Sequence, residues 1–204
     1  MGVLCSGSGS NLGALIAAER SGALGPARIA VVIVNRPGVG AIARAETAGV
    51  PVRVLPHGDH PSREAYDDVL VAALREAGVE IVALAGFMRL VTGRLLAAFA
   101  GRVLNIHPSL LPAFPGLHAQ RQALEHGVKL AGCTVHFVDE GLDRGPIVLQ
   151  AAVPVLDGDD EAALTARILA EEHRLYPRAV RLLAERRLVA DGRRVRVLGA
   201  DGAA

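Results

Sequence analysis

No tryptophan occurs in the 204 residues, and the aromatic side chains amount to two tyrosines and four phenylalanines. Proteins that grip nucleic acid rely on stacking platforms or on a basic face. Here 22 basic residues face 21 acidic ones, for a formal net charge of +1. Neither nucleic acid nor an anionic membrane is therefore an expected partner, and small molecules are. Cysteine is as sparse: Cys5 and Cys133 lie too far apart in sequence to suggest a disulfide framework, and no Cys-x-x-Cys or His/Cys cluster suggests a metal site. No apolar run reaches the ~20 residues that a membrane span needs, and the chain enters a glycine-rich turn too early for a secretory leader. The expectation is a soluble, cytoplasmic protein without a metal. Lysine occurs once against 21 arginines, a bias that carries no functional weight.

Half of the residues are hydrophobic (51%) although only 3% are aromatic, so the core must be built from Val, Leu, Ile and Ala. That composition suits parallel strands covered by helices on both faces. The chain alternates accordingly. "VLCSGSGSN" is a strand breaking into glycines, "NLGALIAAERSG" a helix, "ARIAVVIVN" a strand, "GAIARAETAG" a helix and "VPVRVL" a strand. From Arg63 to Ala77 apolar positions recur at helical spacing before the strand "EIVALAG"; "TGRLLAAFAG" is the next helix and "GRVLNI" the fifth strand. After "HAQRQALEHG", the pair "AGCTVHFV" and "GPIVLQAAVPV" reads as an antiparallel hairpin added to the sheet. A long helix from Asp160 to Glu185 follows, then a terminal hairpin in "RLVADGRRVRVL", with Asp-Gly at its turn. The expected fold is a single α/β domain over 1–204, doubly wound and mostly parallel, with ligands at the C-terminal ends of its strands.

Three stretches stand out as sites. The glycines at 7, 9 and 13 in "GSGSNLG" give G-x-G-x-x-x-G, one residue off a dinucleotide fingerprint, whose third glycine would stand at Leu12. The turn opens on a helix N-terminus, which suits one phosphate; a tight turn capped by Ser10 would explain the same residues. In "NIHPSLLPAFPGLH", Asn105 and His107 flank Ile106, so both point to one side of a strand end before a proline-stiffened loop. The acids of "DEGLDRGP" suit a solvated turn, except that Asp143 would meet His107 if the hairpin packs beside the fifth strand; a carboxylate there stabilises a charged imidazole. On the long helix, Glu171 and Glu172 both fall near the apolar stripe of Leu164, Ile168 and Leu175, and acids are rarely left unpaired on a core face.

Taken in order, "SGSGSNL", "SREAYD", "LAGFMRLV", "LNIHPSLLPAFPGLH", "TVHFVDEGLDRGPIVLQ" and "EEHRLYP" resemble the folate-dependent glycinamide ribonucleotide formyltransferases, from residue 3 to about 195. The resemblance implies a Rossmann-like formyltransferase fold and transfer of a formyl group from 10-formyltetrahydrofolate, the co-substrate, to the amine of glycinamide ribonucleotide in purine synthesis. It implies catalytic roles for Asn105, His107 and Asp143, with Asn105 and protonated His107 aimed at the formyl oxygen. It puts the ribonucleotide on Gly9, Ser10, Asn11 and Glu172, mainly in the N-terminal half. The folate pocket is expected from Arg63, Met88, Arg89, Leu90 and Val91. The loop of Asp139, Glu140, Gly141, Leu142 and Asp143 would close it, mainly from the C-terminal half. Arg144 stands where some relatives carry a small residue, and the tail after 195 is short and alanine-rich. Methionyl-tRNA formyltransferase and formyltetrahydrofolate hydrolase share the core but add domains for which this chain has no room. A non-catalytic phosphate-binding module would not need Asn105, His107 and Asp143 together. Monomer and dimer are equally compatible with the sequence.

Overall fold

β-branched runs become strands at the centre of the sheet because both faces are covered there. In the computed structural model, which describes residues 1–199, seven strands form one sheet in the order β3-β2-β1-β4-β5-β6-β7. The parallel part comprises β1 (Gly2–Cys5), β2 (Val31–Val34), β3 (Val52–Val54), β4 (Val82–Leu84) and β5 (Val103–His107). β6 (Leu130–Phe137) and β7 (Ile147–Pro154) continue it antiparallel, β6 lying beside β5. This is the expected doubly wound sheet with its added hairpin.

Side chains alternate across the sheet as a period of two requires. Val3, Cys5, Val32, Val34, Leu104 and Ile106 enter a core shared with α1 (Ser10–Arg20), α2 (Gly40–Ala48), α5 (Ala119–Glu125) and α6 (Glu161–Ala184). Leu4, Val31, Ile33, Val82, Leu84 and Val103 enter the opposite core, beneath α3 (Arg63–Glu76) and α4 (Gly93–Ala98). The expected strand at "EIVALAG" shrinks to three residues, and a 3₁₀ turn over His57–Asp59 interrupts "PHGDHPS".

The long helix falls where its pattern put it, with Asp160 as the N-cap, its carboxylate accepting from the Ala163 amide at 2.7 Å. Fully buried Tyr176 shares its hydroxyl proton between the carbonyls of Leu84 and Leu104, at 2.9 and 3.1 Å. These carbonyls belong to adjacent strands near the sheet's C-terminal edge, so this one phenol fixes α6 against that edge. Glu172 sits one helical turn earlier on the same face. The terminal hairpin forms as read, β8 (Leu188–Asp191) with β9 (Arg194–Val197), but as a separate two-stranded sheet. The alanine-rich end of the tail, 200–204, lies outside the described residues.

Candidate functional site

The order of strands switches between the parallel neighbours β1 and β4, and a crevice opens there by construction. Two adjoining groups of residues occupy this edge.

The first surrounds a cavity of about 480 Å³ bounded by the segment after β4, the end of β5 and the loop between β6 and β7. Asn105, His107, Met88, Arg89, Leu90, Val91 and the whole stretch Asp139–Asp143 line it, as expected. Arg63 does not: it is exposed at the start of α3 and outside the cavity lining, because that helix begins beyond the crevice. Arg89 instead lies over the Tyr66 ring, 5.0 Å from its centroid.

The proline-rich loop after β5 is held by side chains of the added hairpin. Thr134 accepts from the Leu111 amide at 3.0 Å and donates to the Ser109 carbonyl at 2.7 Å. Gln150 donates to the Leu111 carbonyl at 2.9 Å, and Ser109 to the Ala113 carbonyl at 2.6 Å. Thus pinned, the loop presents the Phe114 carbonyl to His107 Nε2 at 2.9 Å. That nitrogen must carry a proton, since a carbonyl only accepts. His107 Nδ1 lies 3.4 Å from Asp143 Oδ2, and both side chains are nearly buried. The ring therefore has the Phe114 carbonyl on one side and the Asp143 carboxylate on the other. The expectation was a His107 donor aimed at a formyl oxygen; in this arrangement Nε2 is bonded to the Phe114 carbonyl and Nδ1 faces Asp143.

Asn105 has a partner that sequence reasoning missed. His136 stands directly opposite it in the β5–β6 register, and its Nε2 lies 3.1 Å from Asn105 Nδ2. His136 Nδ1 donates to the Phe137 carbonyl at 2.8 Å, so Nε2 is free to accept. Burial lowers the His136 pKa and keeps the ring neutral, which suits that role. One Asn105 amide proton is thereby fixed on His136 and the other is left for the cavity. The cue in the sequence was the alternation in "TVHFV", which places His136 on the face of β6 that Asn105 occupies on β5. Asp143 completes the group, accepting the Gly116 amide at 2.8 Å with its backbone in the left-handed region (φ 52).

The second group lies at the glycine turn. The alternative of a turn capped by Ser10 is not what forms: the cap is Gly9, at φ 73, and no side chain bonds the helix start. The conformation needs a glycine, and so does the packing, because a Cβ at Gly9 would stand 2.8 Å from Ala41 Cα. Donors from α2 take up the turn's carbonyls, the Ala41 amide on Gly7 and Arg44 Nε on Ser8, at 3.1 and 2.9 Å. The first amides of α1 remain unpaired within the helix, as at any helix start. Asn11 turns inward and donates to Glu172 Oε2 at 2.7 Å. Glu172 is 4% exposed, and burial, partly offset by Asn11, raises its pKa to about 7. Its neighbour Glu171 faces outward and pairs with Arg174. His173 adds a ring nitrogen, Nε2, that is buried without a hydrogen-bond partner among the described residues. Cys5 and Cys133 are both buried and free. Among the described residues no group of three His, Cys, Asp or Glu lies together as a metal site, and no helix is long and apolar enough to cross a membrane.

Comparison with known proteins agrees with this geometry. A family profile described as formyl transferase matches residues 1–180. The phosphoribosylglycinamide formyltransferase of Escherichia coli (strain K12) is 44% identical over 91% of this chain and 87% of its own length. The trifunctional purine biosynthetic protein adenosine-3 of Drosophila pseudoobscura pseudoobscura is 56% identical over 89% of this chain, which spans only 13% of that protein's length. The crystal structure of glycinamide ribonucleotide transformylase 1 from Symbiobacterium toebii superposes with a TM-score of 0.95 at 60% identity, covering 97% of this chain and 92% of the other. On the profile, the relatives and the superposition together, the chain belongs to the formyl transferase family, beside the phosphoribosylglycinamide formyltransferases.

Proposed function

We propose that the protein transfers a formyl group from 10-formyltetrahydrofolate to the amine of glycinamide ribonucleotide, a step of purine biosynthesis. The observation that carries this reading is the convergence of Asn105, His107 and Asp143 on one wall of the cavity, joined there by His136. The cavity is deep and mostly apolar, with Met88 and Leu90 at its mouth, a setting suited to the flat ring system of a folate. The glycine turn, with Asn11 and Glu172, is the proposed seat of the ribonucleotide: α1 amides for the phosphate, Glu172 for the glycinamide or ribose end.

In the reaction the amine nitrogen attacks the formyl carbon, a new C–N bond forms, and the bond from that carbon to the folate nitrogen breaks. Negative charge gathers on the formyl oxygen meanwhile, and fixed donors there lower the barrier most. Asn105 offers the amide proton that His136 leaves free. His107, held between Asp143 and the Phe114 carbonyl, stands on the same wall. The proton shed by the attacking amine passes to the departing nitrogen through a positioned water.

The deciding experiment mixes the purified protein with both substrates and follows release of the deformylated folate and formation of formylated ribonucleotide. Both products, in equal amounts and only when both substrates are present, are expected. Folate turnover that ignores the ribonucleotide would mean a hydrolase instead.

A further inference from the structure

The hairpin β8–β9 lies outside the segment that the family profile matches, and it forms a sheet of its own. It nonetheless reaches the catalytic wall. Arg193, at its turn, donates from Nη1 to the main-chain carbonyl of Arg144 at 3.0 Å. Arg144 is the residue directly after Asp143.

Asp143 needs holding. Its backbone is left-handed (φ 52), a conformation that strains a residue with a Cβ and persists only where surroundings enforce it. Downstream, Gly145 is pressed so close to the Phe137 carbonyl that no Cβ fits, and Phe137 N–H bonds the Pro146 carbonyl at 2.9 Å. Upstream, the Arg144 side chain folds back over Gly141. Beneath Asp143 and Arg144 themselves the loop does not rest on packed core. A recess of about 240 Å³ lies there, walled by Pro112, Pro115, Leu142, Ile147 and Arg193. The Arg193 guanidinium crosses this hollow to the loop's main chain.

We infer that Arg193 is a positioning residue: the terminal hairpin clamps the Arg144 carbonyl and so keeps the Asp143 carboxylate on His107 and on the Gly116 amide. The inference rests on the function proposed above, but one of its readouts does not. Losing a hydrogen bond from a charged donor to the catalytic loop should lower kcat about tenfold in Arg193→Ala, with the ribonucleotide KM unchanged. Arg193→Lys, which keeps a charged donor, should restore most of the loss. In an Asp143→Asn background Arg193→Ala should cost nothing further, because the clamp acts only through that carboxylate. The Gly116 amide, bonded to Asp143 Oδ2, should exchange its hydrogen faster in Arg193→Ala, whether or not substrate is present. Wild-type kcat and Gly116 protection in Arg193→Ala, or losses that multiply with Asp143→Asn, would overturn the clamp. If the unaltered protein transfers no formyl group, it is the proposed function that fails, and Gly116 exchange then decides the clamp alone.

Discussion

Replacing Glu172 with glutamine should make the protein more stable as the pH rises and a poorer binder of the ribonucleotide. Glu172 is 4% exposed, and burial lifts its pKa from the ordinary 4.5 to about 7. A carboxyl group whose pKa is raised by folding favours the folded state fully only below the unfolded value. That contribution is lost as pH rises through the folded one. The interval between the two corresponds to about 3 kcal/mol, present near pH 4 and given up above about pH 7. Glutamine has the same shape, cannot ionise, and still accepts from Asn11 Nδ2. Its own N–H groups can also use Asn11 Oδ1, which has no hydrogen-bond partner among the described residues. The variant should therefore match the parent near pH 4 and exceed it near pH 8.5 by about 3 kcal/mol, or roughly 6–12 °C in Tm for a chain of this size. Thermal melts of both proteins across that range measure it. A Tm difference that stays constant with pH, or a variant less stable at pH 8.5, would refute the assignment of a strained, ionised carboxylate. The ribonucleotide KM should rise at the same time, since the charge that costs stability is the one proposed to meet the substrate.

Other substitutions separate the two halves of the site. Asp143→Asn should lower kcat about 100-fold or more while leaving ribonucleotide affinity and Tm nearly intact, and near-normal turnover would reduce Asp143 to an ordinary loop acid. His136→Gln should cost about tenfold in kcat, because Asn105 then loses the ring nitrogen that fixes its amide, and an unchanged kcat would remove His136 from the wall. Gly9→Ala forces a Cβ to within 2.8 Å of Ala41 Cα at φ 73, and should cost about 1–3 kcal/mol of stability. Calorimetry should show Gly9→Ala weakening the ribonucleotide far more than the folate. Equal losses for both ligands would take the turn out of the substrate site.

Much of this was legible because period and punctuation are local. The alternation around Ile106 put Asn105 and His107 on one side of β5, and the stripe on α6 brought Glu171 and Glu172 near its buried face. Spacing could not choose between those two acids. The choice depends on which of them meets Asn11 across the packed interface of α1 and α6, a contact between residues 161 positions apart. His136 was overlooked for the same reason: it matters only once β6 is laid antiparallel on β5 in one particular register. Ser10 left a capped turn open as an alternative because a serine before a helical run is a good cap, whereas close packing against Ala41 hands that position to a left-handed glycine. His107 was assigned its neighbourhood but not its backbone partner. The Phe114 carbonyl that occupies its Nε2 is placed by Thr134 and Gln150, residues whose part in the site no motif announces.

The bond between Asn11 and Glu172 also has a consequence in time. During synthesis the glycine turn emerges almost at once, but the acid that completes it is made 161 residues later, roughly 10–30 s afterwards at ordinary elongation rates. Until α6 docks through Tyr176, the turn has no carboxylate beside it, and β5 lacks the helix that packs on the face opposite Asn105. On the proposed seat for the ribonucleotide, a nascent chain that has folded its first strands would not yet hold that ligand, and its capture would report that the last long helix is in place.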